Sequence, residues 1–138
     1  MITAVDSSVL IDIFGADGTF GARSANLLRR CLSDGSVIAC EIVWTETALA
    51  FEEEHTFVRA METLSINFSP IAQTTALVSA RAWRKYLARG GRHKRVVADF
   101  LVGAHALEQA DRLLTRDRGF YRDYFVKLRV LDPQSSTQ

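Results

Sequence analysis

The sequence predicts an α/β fold with a mostly parallel central sheet and helices on both faces. Three observations carry this expectation. Short apolar runs of strand length alternate along the chain with longer segments of helical periodicity. Turn-forming residues such as the "GADGTFG" stretch and Asp34-Gly35 separate them. With 138 residues, 48% of them hydrophobic and 24% charged, the chain has the size and apolar content of a single domain with its own core. One domain is expected over 1–138, with 132–138 as a C-terminal tail.

The elements follow in order. Ile2–Val5 is a short buried strand, and Ser7–Phe14 a helix that Ser7 or Ser8 is placed to cap. After the glycine-rich break, Ala25, Leu28 and Leu32 fall at helical spacing and predict a helix over 22–32. "SVIAC" (36–40) is the second strand. Helices are expected over 41–53, with Ile42, Val43 and Ala50 inward, and over 56–64, using Phe57, Met61 and Leu64. "SINFSPI" contains a third short strand that ends before Pro70, since proline cannot donate to a ladder. A long helix over 73–87 is closed by Gly90-Gly91. A further helix covers 96–109, "RLLT" is strand four, "DRGFYRDYF" a turn with a short helix, and "KLRVL" strand five.

Several function classes drop out on composition. No apolar run reaches the roughly 18 residues of a membrane span, and the N-terminus lacks the pattern of a signal peptide. Cys31 and Cys40 have neither metal-ligand nor disulfide-framework spacing, so both are expected to be reduced and buried, in a cytoplasmic protein. The net charge of +1 says little, but its distribution says more. Between Thr63 and Ala98 there is no Asp or Glu, while Arg81, Arg84, Lys85, Arg89, Arg92, Lys94 and Arg95 crowd there with His93. Such segregation can present one positive face to a polyanion, and the basic stretch at 81–95 would supply backbone contacts to a nucleic acid.

The acids then acquire meaning from the strand map. Asp6 lies just past strand one and Asp117 just past strand four; Glu46 is one turn into the helix after strand two, and Asp99 near the start of an otherwise apolar helix. In open parallel sheets, ligands bind outside the carboxyl ends of the strands. Singly, each acid reads as a cap, a helix-dipole charge or a solvated side chain. Jointly they converge on one edge, and no Lys or Arg lies within two residues of Asp6, Glu46 or Asp99. Clustered carboxylates require positive charge, and Mg²⁺ or Mn²⁺ is the counter-charge that suits oxygen ligands. Such sites handle phosphates.

Four stretches, "VDSSVLIDIF", "VIACEIVWTET", "ADFLVGAHAL" and "LLTRDRGFY", resemble in order the four acidic motifs of PIN domains. More narrowly, the chain resembles the VapC-type toxins of bacterial toxin–antitoxin pairs. The resemblance covers residues 2–131. It implies a three-layer α/β/α ribonuclease dependent on Mg²⁺ or Mn²⁺, with Asp6, Glu46, Asp99 and Asp117 as the catalytic acids. Asp6, Asp99 and Asp117 would ligate metal, while Ser7 and Thr115 would supply hydroxyls to metal or substrate phosphate. Arg92, Lys94 and Arg95, in a basic loop before the third acid, would contact RNA. The resemblance also implies homodimerisation, a VapB-like antitoxin, and structured RNA of the translation machinery as substrate. A groove around Trp44, Phe51, Phe57 and Met61 would take the antitoxin, although core packing explains those residues equally well. Asp12, at i+6 from Asp6, is expected to be a solvated or capping residue.

The expected reaction is hydrolysis of an RNA phosphodiester by a metal-activated water, leaving a 5′-phosphate and a 3′-hydroxyl, with inhibition of translation as the outcome. A haloacid-dehalogenase-type phosphatase would need an acid at position 8, where this chain has Ser8. A phospho-accepting receiver domain would need an acidic pair at strand one. A PIN-like module that binds RNA or protein without cleaving is the remaining alternative. His105, two turns after Asp99, is expected to be packed and not catalytic.

Overall fold

The computed structural model of the chain describes residues 1–91 and 97–134. Five strands form one sheet: β1 (Ile2–Val5), β2 (Ser36–Ala39), β3 (Ile66–Phe68), β4 (Arg112–Leu114) and β5 (Val130–Leu131). The spatial order is β3-β2-β1-β4-β5, and every neighbouring pair runs parallel. The helices are α1 (Ser7–Phe14), α2 (Gly21–Asp34), α3 (Glu41–Ala48), α4 (Glu54–Thr63), α5 (Gln73–Ala88), α6 (Val97–Gln109) and α7 (Arg118–Tyr124).

The central strands are buried along nearly their whole length, as strands covered on both faces must be. From β1 the chain steps to β2 and β3 on one side, then crosses back to β4 and β5 on the other. Right-handed crossovers therefore put α1–α4 on one face and α5–α7 on the opposite face. Ring contacts agree with that division. Phe14, Phe51, Phe57 and Trp44 form one edge-to-face chain on the first face. Tyr86, Phe100, Phe120 and Tyr124 meet edge to face on the second, with Trp83 stacked on Phe100.

Three local expectations change. Neither Ser7 nor Ser8 caps α1: Asp6 occupies the N-cap position in extended conformation, and its side chain makes no cap bond. The helix expected over 41–53 stops at Ala48, because Phe51 turns inward between Phe14 and Phe57. Strand five is only Val130–Leu131. Phe57 and Met61 are core residues, 3% and 0% exposed, so neither lines a surface groove. Cys31 and Cys40 are free and buried. Among the described residues no helix is long and apolar enough to cross a membrane.

Strand order makes the site position a matter of topology. The direction of winding reverses between β1 and β4, and a crevice opens at such a switch point beyond the carboxyl ends of the strands. The backbone closes across it: the Asp6 N–H donates to the Leu114 carbonyl at 2.9 Å.

Candidate functional site

β1 ends in Val5 and delivers Asp6 to the crevice with its side chain buried, 9% exposed. β4 ends in Leu114 and delivers Thr115, which is fully buried. The Thr115 hydroxyl donates to Asp6 Oδ2 at 2.7 Å, and Ser8 Oγ donates to the same oxygen at 3.3 Å. Thr115 Oγ1 in turn accepts the Asp117 N–H at 3.0 Å. One hydroxyl therefore ties both strand-end acids together.

Glu46 enters from α3. It is solvent-exposed, and its Oε1 accepts the Ser7 hydroxyl at 2.9 Å. Burial pushes the Asp6 carboxyl up to about 6; the Thr115 hydrogen bond opposes this rise, and the nearby charge of Glu46 adds to it.

Asp99 and Asp117 are half-buried. α6 is followed by a strand parallel to β1, so it runs against the strands and brings its N-terminal turn, with Asp99, to the carboxyl edge. The neighbouring Phe100 packs edge-to-face on Phe120 at 5.2 Å, which sets the start of α6 beside α7, the helix Asp117 precedes. The sequence-predicted acids thus fall on one edge. Ser7 is hydrogen-bonded to Glu46, and Thr115 to Asp6 and to the Asp117 backbone, while Asp99 is placed by its helix. Arg92, Lys94 and Arg95, together with His93, lie outside the described residues.

His105 is a core residue, 1% exposed, with Nε2 3.1 Å from Ser69 Oγ; burial lowers its pKa. Asp12 corrects an expectation. It is neither solvated nor capping: it is 4% exposed and paired with Arg116, whose Nε lies 2.6 Å from Asp12 Oδ2. Sequence reasoning passed over Ser8 and Arg116 as site neighbours. The available signals were the i, i+4 spacing of Ser8 and Asp12, which shares one helix face, and the place of Arg116 between Thr115 and Asp117.

Among the described residues no three His, Cys, Asp or Glu side chains stand close enough together to hold a metal ion. The donor chemistry nonetheless suits a hard divalent cation. Mg²⁺ commonly takes one or two carboxylates and completes its shell with water and substrate phosphate. A buried carboxylate whose proton affinity is raised by burial and by a second acid gains most from such a charge.

No curated protein matches the chain at a significant level. Solved structures do resemble it. VapBC-1 from nontypeable Haemophilus influenzae superposes with a TM-score of 0.76 at 17% identity, over 98% of this chain and 100% of that one. VapBC2 from Rickettsia felis, bound to a promoter DNA fragment, gives 0.74 at 14% identity, over 96% and 98%. VapC20 of Mycobacterium tuberculosis, a toxin that cleaves the sarcin-ricin loop, gives 0.59 at 17% identity, over 92% and 98%. At these identities the likeness is one of fold. The PIN domain family model, by contrast, matches the sequence itself over residues 3–125, from within β1 to just past α7. The chain belongs to the PIN domain family.

Proposed function

We propose that the protein is a VapC-type toxin, an endoribonuclease that hydrolyses RNA phosphodiester bonds, inhibits translation and is neutralised by a VapB-like antitoxin. The observation that carries the reading is the hydrogen-bonded line from Glu46 through Ser7, and from Asp6 through Thr115 to Asp117, at the switch point of a PIN sheet. Asp6 and Asp99 would be the principal ligands of Mg²⁺ or Mn²⁺, with Glu46 and Asp117 completing the site directly or through water; the ion would supply Lewis acidity and lower the pKa of the attacking water. The chain's own groups do the positioning. Thr115 fixes the rotamer of Asp6 and the backbone of Asp117. Ser7 is held by Glu46 beside the place where a phosphate oxygen would sit. A water oxygen bonds to phosphorus as the bond to the 3′-oxygen breaks, so the products carry a 5′-phosphate and a 3′-hydroxyl.

Structured RNA of the translation machinery is the proposed substrate, in keeping with the sarcin-ricin loop cleaved by the VapC20 neighbour. The antitoxin is proposed to dock in a groove of about 410 Å³ lined by Ile11, Phe14, Ala50, Phe51 and Thr56. Exposed Leu77 and Leu87 on α5 offer apolar surface for a homodimer.

The test is cleavage of total RNA by antitoxin-free protein in Mg²⁺ or Mn²⁺ and in chelator. Asp6→Asn and Asp99→Asn should each lower the rate at least about a hundredfold, since loss of a metal's direct ligand exceeds the cost of losing its supports. Equal cleavage by wild type and both variants overturns the site. Products ending in 2′,3′-cyclic phosphate overturn the water route. RNA binding without cleavage under all conditions returns the protein to the binding-module reading.

A further inference from the structure

Arg116 lies between Thr115 and Asp117 and is held through both its backbone and its guanidinium. Its N–H donates to Ser8 Oγ at 3.3 Å, and its carbonyl accepts the Gln134 side-chain amide at 3.0 Å. Gln134 is itself fixed, its backbone N–H donating to Asp132 Oδ1 at 2.8 Å. The guanidinium meets both oxygens of Asp12: Nη2 donates to Oδ1 at 3.1 Å, and Nε approaches Oδ2 at 2.6 Å as an ion-pair contact outside hydrogen-bond geometry. The Phe20 ring lies against the guanidinium, 4.4 Å from Cζ to centroid. Phe20 is set there by Asp17, whose Oδ2 accepts the Thr19 and Phe20 N–H groups at 3.0 and 2.6 Å. Asp12 is also pinned from α2, where Ser24 Oγ donates to its Oδ2 at 3.2 Å.

This arrangement is costly for stability alone. The Asp12 side chain is 5% exposed and that of Arg116 32%, and a buried pair of this kind is often matched by apolar residues of similar volume. What an apolar pair lacks is direction. A planar guanidinium held against a carboxylate and an aromatic ring fixes one orientation of the backbone that carries it. That backbone bears Thr115 on one side and Asp117 on the other, while α1 supplies both the anchor, Asp12, and the acid at its own N-cap, Asp6. Ser8 doubles the link, since it meets both the Arg116 N–H and Asp6 Oδ2.

We infer that Asp12 and Arg116 are positioning residues that set Asp117 at a fixed distance and orientation from Asp6, so that the two acids act on one ion. The inference rests on the proposed metal-dependent activity and deepens it. Neither residue touches the ion or the RNA.

The test is Mn²⁺ affinity, measured by electron paramagnetic resonance titration, beside thermal unfolding and RNA cleavage. Asp12→Asn and Arg116→Gln should each weaken Mn²⁺ binding about tenfold, the scale typical of groups that orient metal ligands. The double variant should bind no more weakly than the worse single one, because the pair acts as a unit. Arg116→Lys, which keeps the charge and loses the planar fork, should recover part of the affinity. Folded Asp12→Asn and Arg116→Gln proteins with wild-type Mn²⁺ affinity overturn the inference, even if their melting temperatures fall. If neither folds, Arg116→Lys and Ser24→Ala carry the same reading, with Ser24→Ala expected to weaken binding about threefold. A wild type that takes up no Mn²⁺ and cleaves no RNA overturns the proposed function and this inference together. A wild type that does both, beside unaffected variants, overturns this inference alone.

Discussion

At Asp6 the cost of burial and the demands of chemistry fall on one carboxyl. Its pKa is pushed from 3.8 up to about 6, chiefly by burial, so between those values the folded chain binds a proton that the unfolded chain has released. The stability this confers is full below pH 3.8 and is lost as pH rises through about 6, a span worth about 3 kcal/mol. In chelator, the thermal midpoint of the wild type should therefore be higher at pH 5 than at pH 7.5 by an Asp6 share of about 4 °C. Asp6→Asn should remove that share, so the difference between the two proteins across the pH range isolates it. An identical pH profile for both would show that Asp6 keeps its ordinary acidity. Adding Mn²⁺ at pH 7.5 should raise the wild-type midpoint and leave the variant nearly unmoved.

Among the elements, α6 is seated closely against Phe125. Gly103 lies where α6 meets Phe125, and a methyl there would come within 2.4 Å of the ring. Alanine gains about 1 kcal/mol of helix propensity over glycine, while overpacking a buried ring costs about 1–3 kcal/mol. Gly103→Ala should thus lower stability by up to about 2 kcal/mol in urea titration; a gain would mean that Phe125 yields freely. Element by element, the alternation of strand and helix was legible because the apolar periodicities change cleanly, as from "SVIA" into "EIVWTETA". The early stop of α3 was not, because Phe51 leaves the helix to meet Phe57 and, above all, Phe14, which lies far away in sequence. The same reason hid Asp12. Nothing near it in sequence announces Arg116, 104 residues away. The acids themselves were legible because strand ends in a parallel sheet share an edge. Their hydroxyl links were only half so: Thr115 was placed beside the last acid, but its bond to Asp6 needed β1 and β4 to be neighbours.

The molecule as a whole divides its charge. Arg81, Arg84 and Lys85 are exposed along α5, and the exposed Arg89 at its C-cap lies over the Tyr124 ring of α7 at 5.3 Å. That basic face borders the helix α7, which Asp117 precedes. RNA affinity should fall with rising salt, and the double variant Arg81→Gln/Lys85→Gln should flatten the log–log slope by about 0.7 per cation lost. An unchanged slope would take α5 off the path of the RNA. Ile11→Asp, in the groove beside Phe14 and Phe51, should abolish antitoxin binding and leave RNA cleavage intact; retained binding would place the antitoxin elsewhere.

The bond between Thr115 and Asp6 spans 109 residues. During synthesis the first acid leaves the ribosome long before the hydroxyl that orients it, and the strand carrying that hydroxyl must slot in beside β1, at the middle of the sheet. A nascent or truncated chain that lacks β4 leaves Asp6 without the Thr115 hydroxyl and without the strand that neighbours β1 at that edge. For a nuclease whose proposed target is the machinery that makes it, this order of assembly is a safeguard written into topology: the cutting edge closes only when nearly the last of the domain has been made.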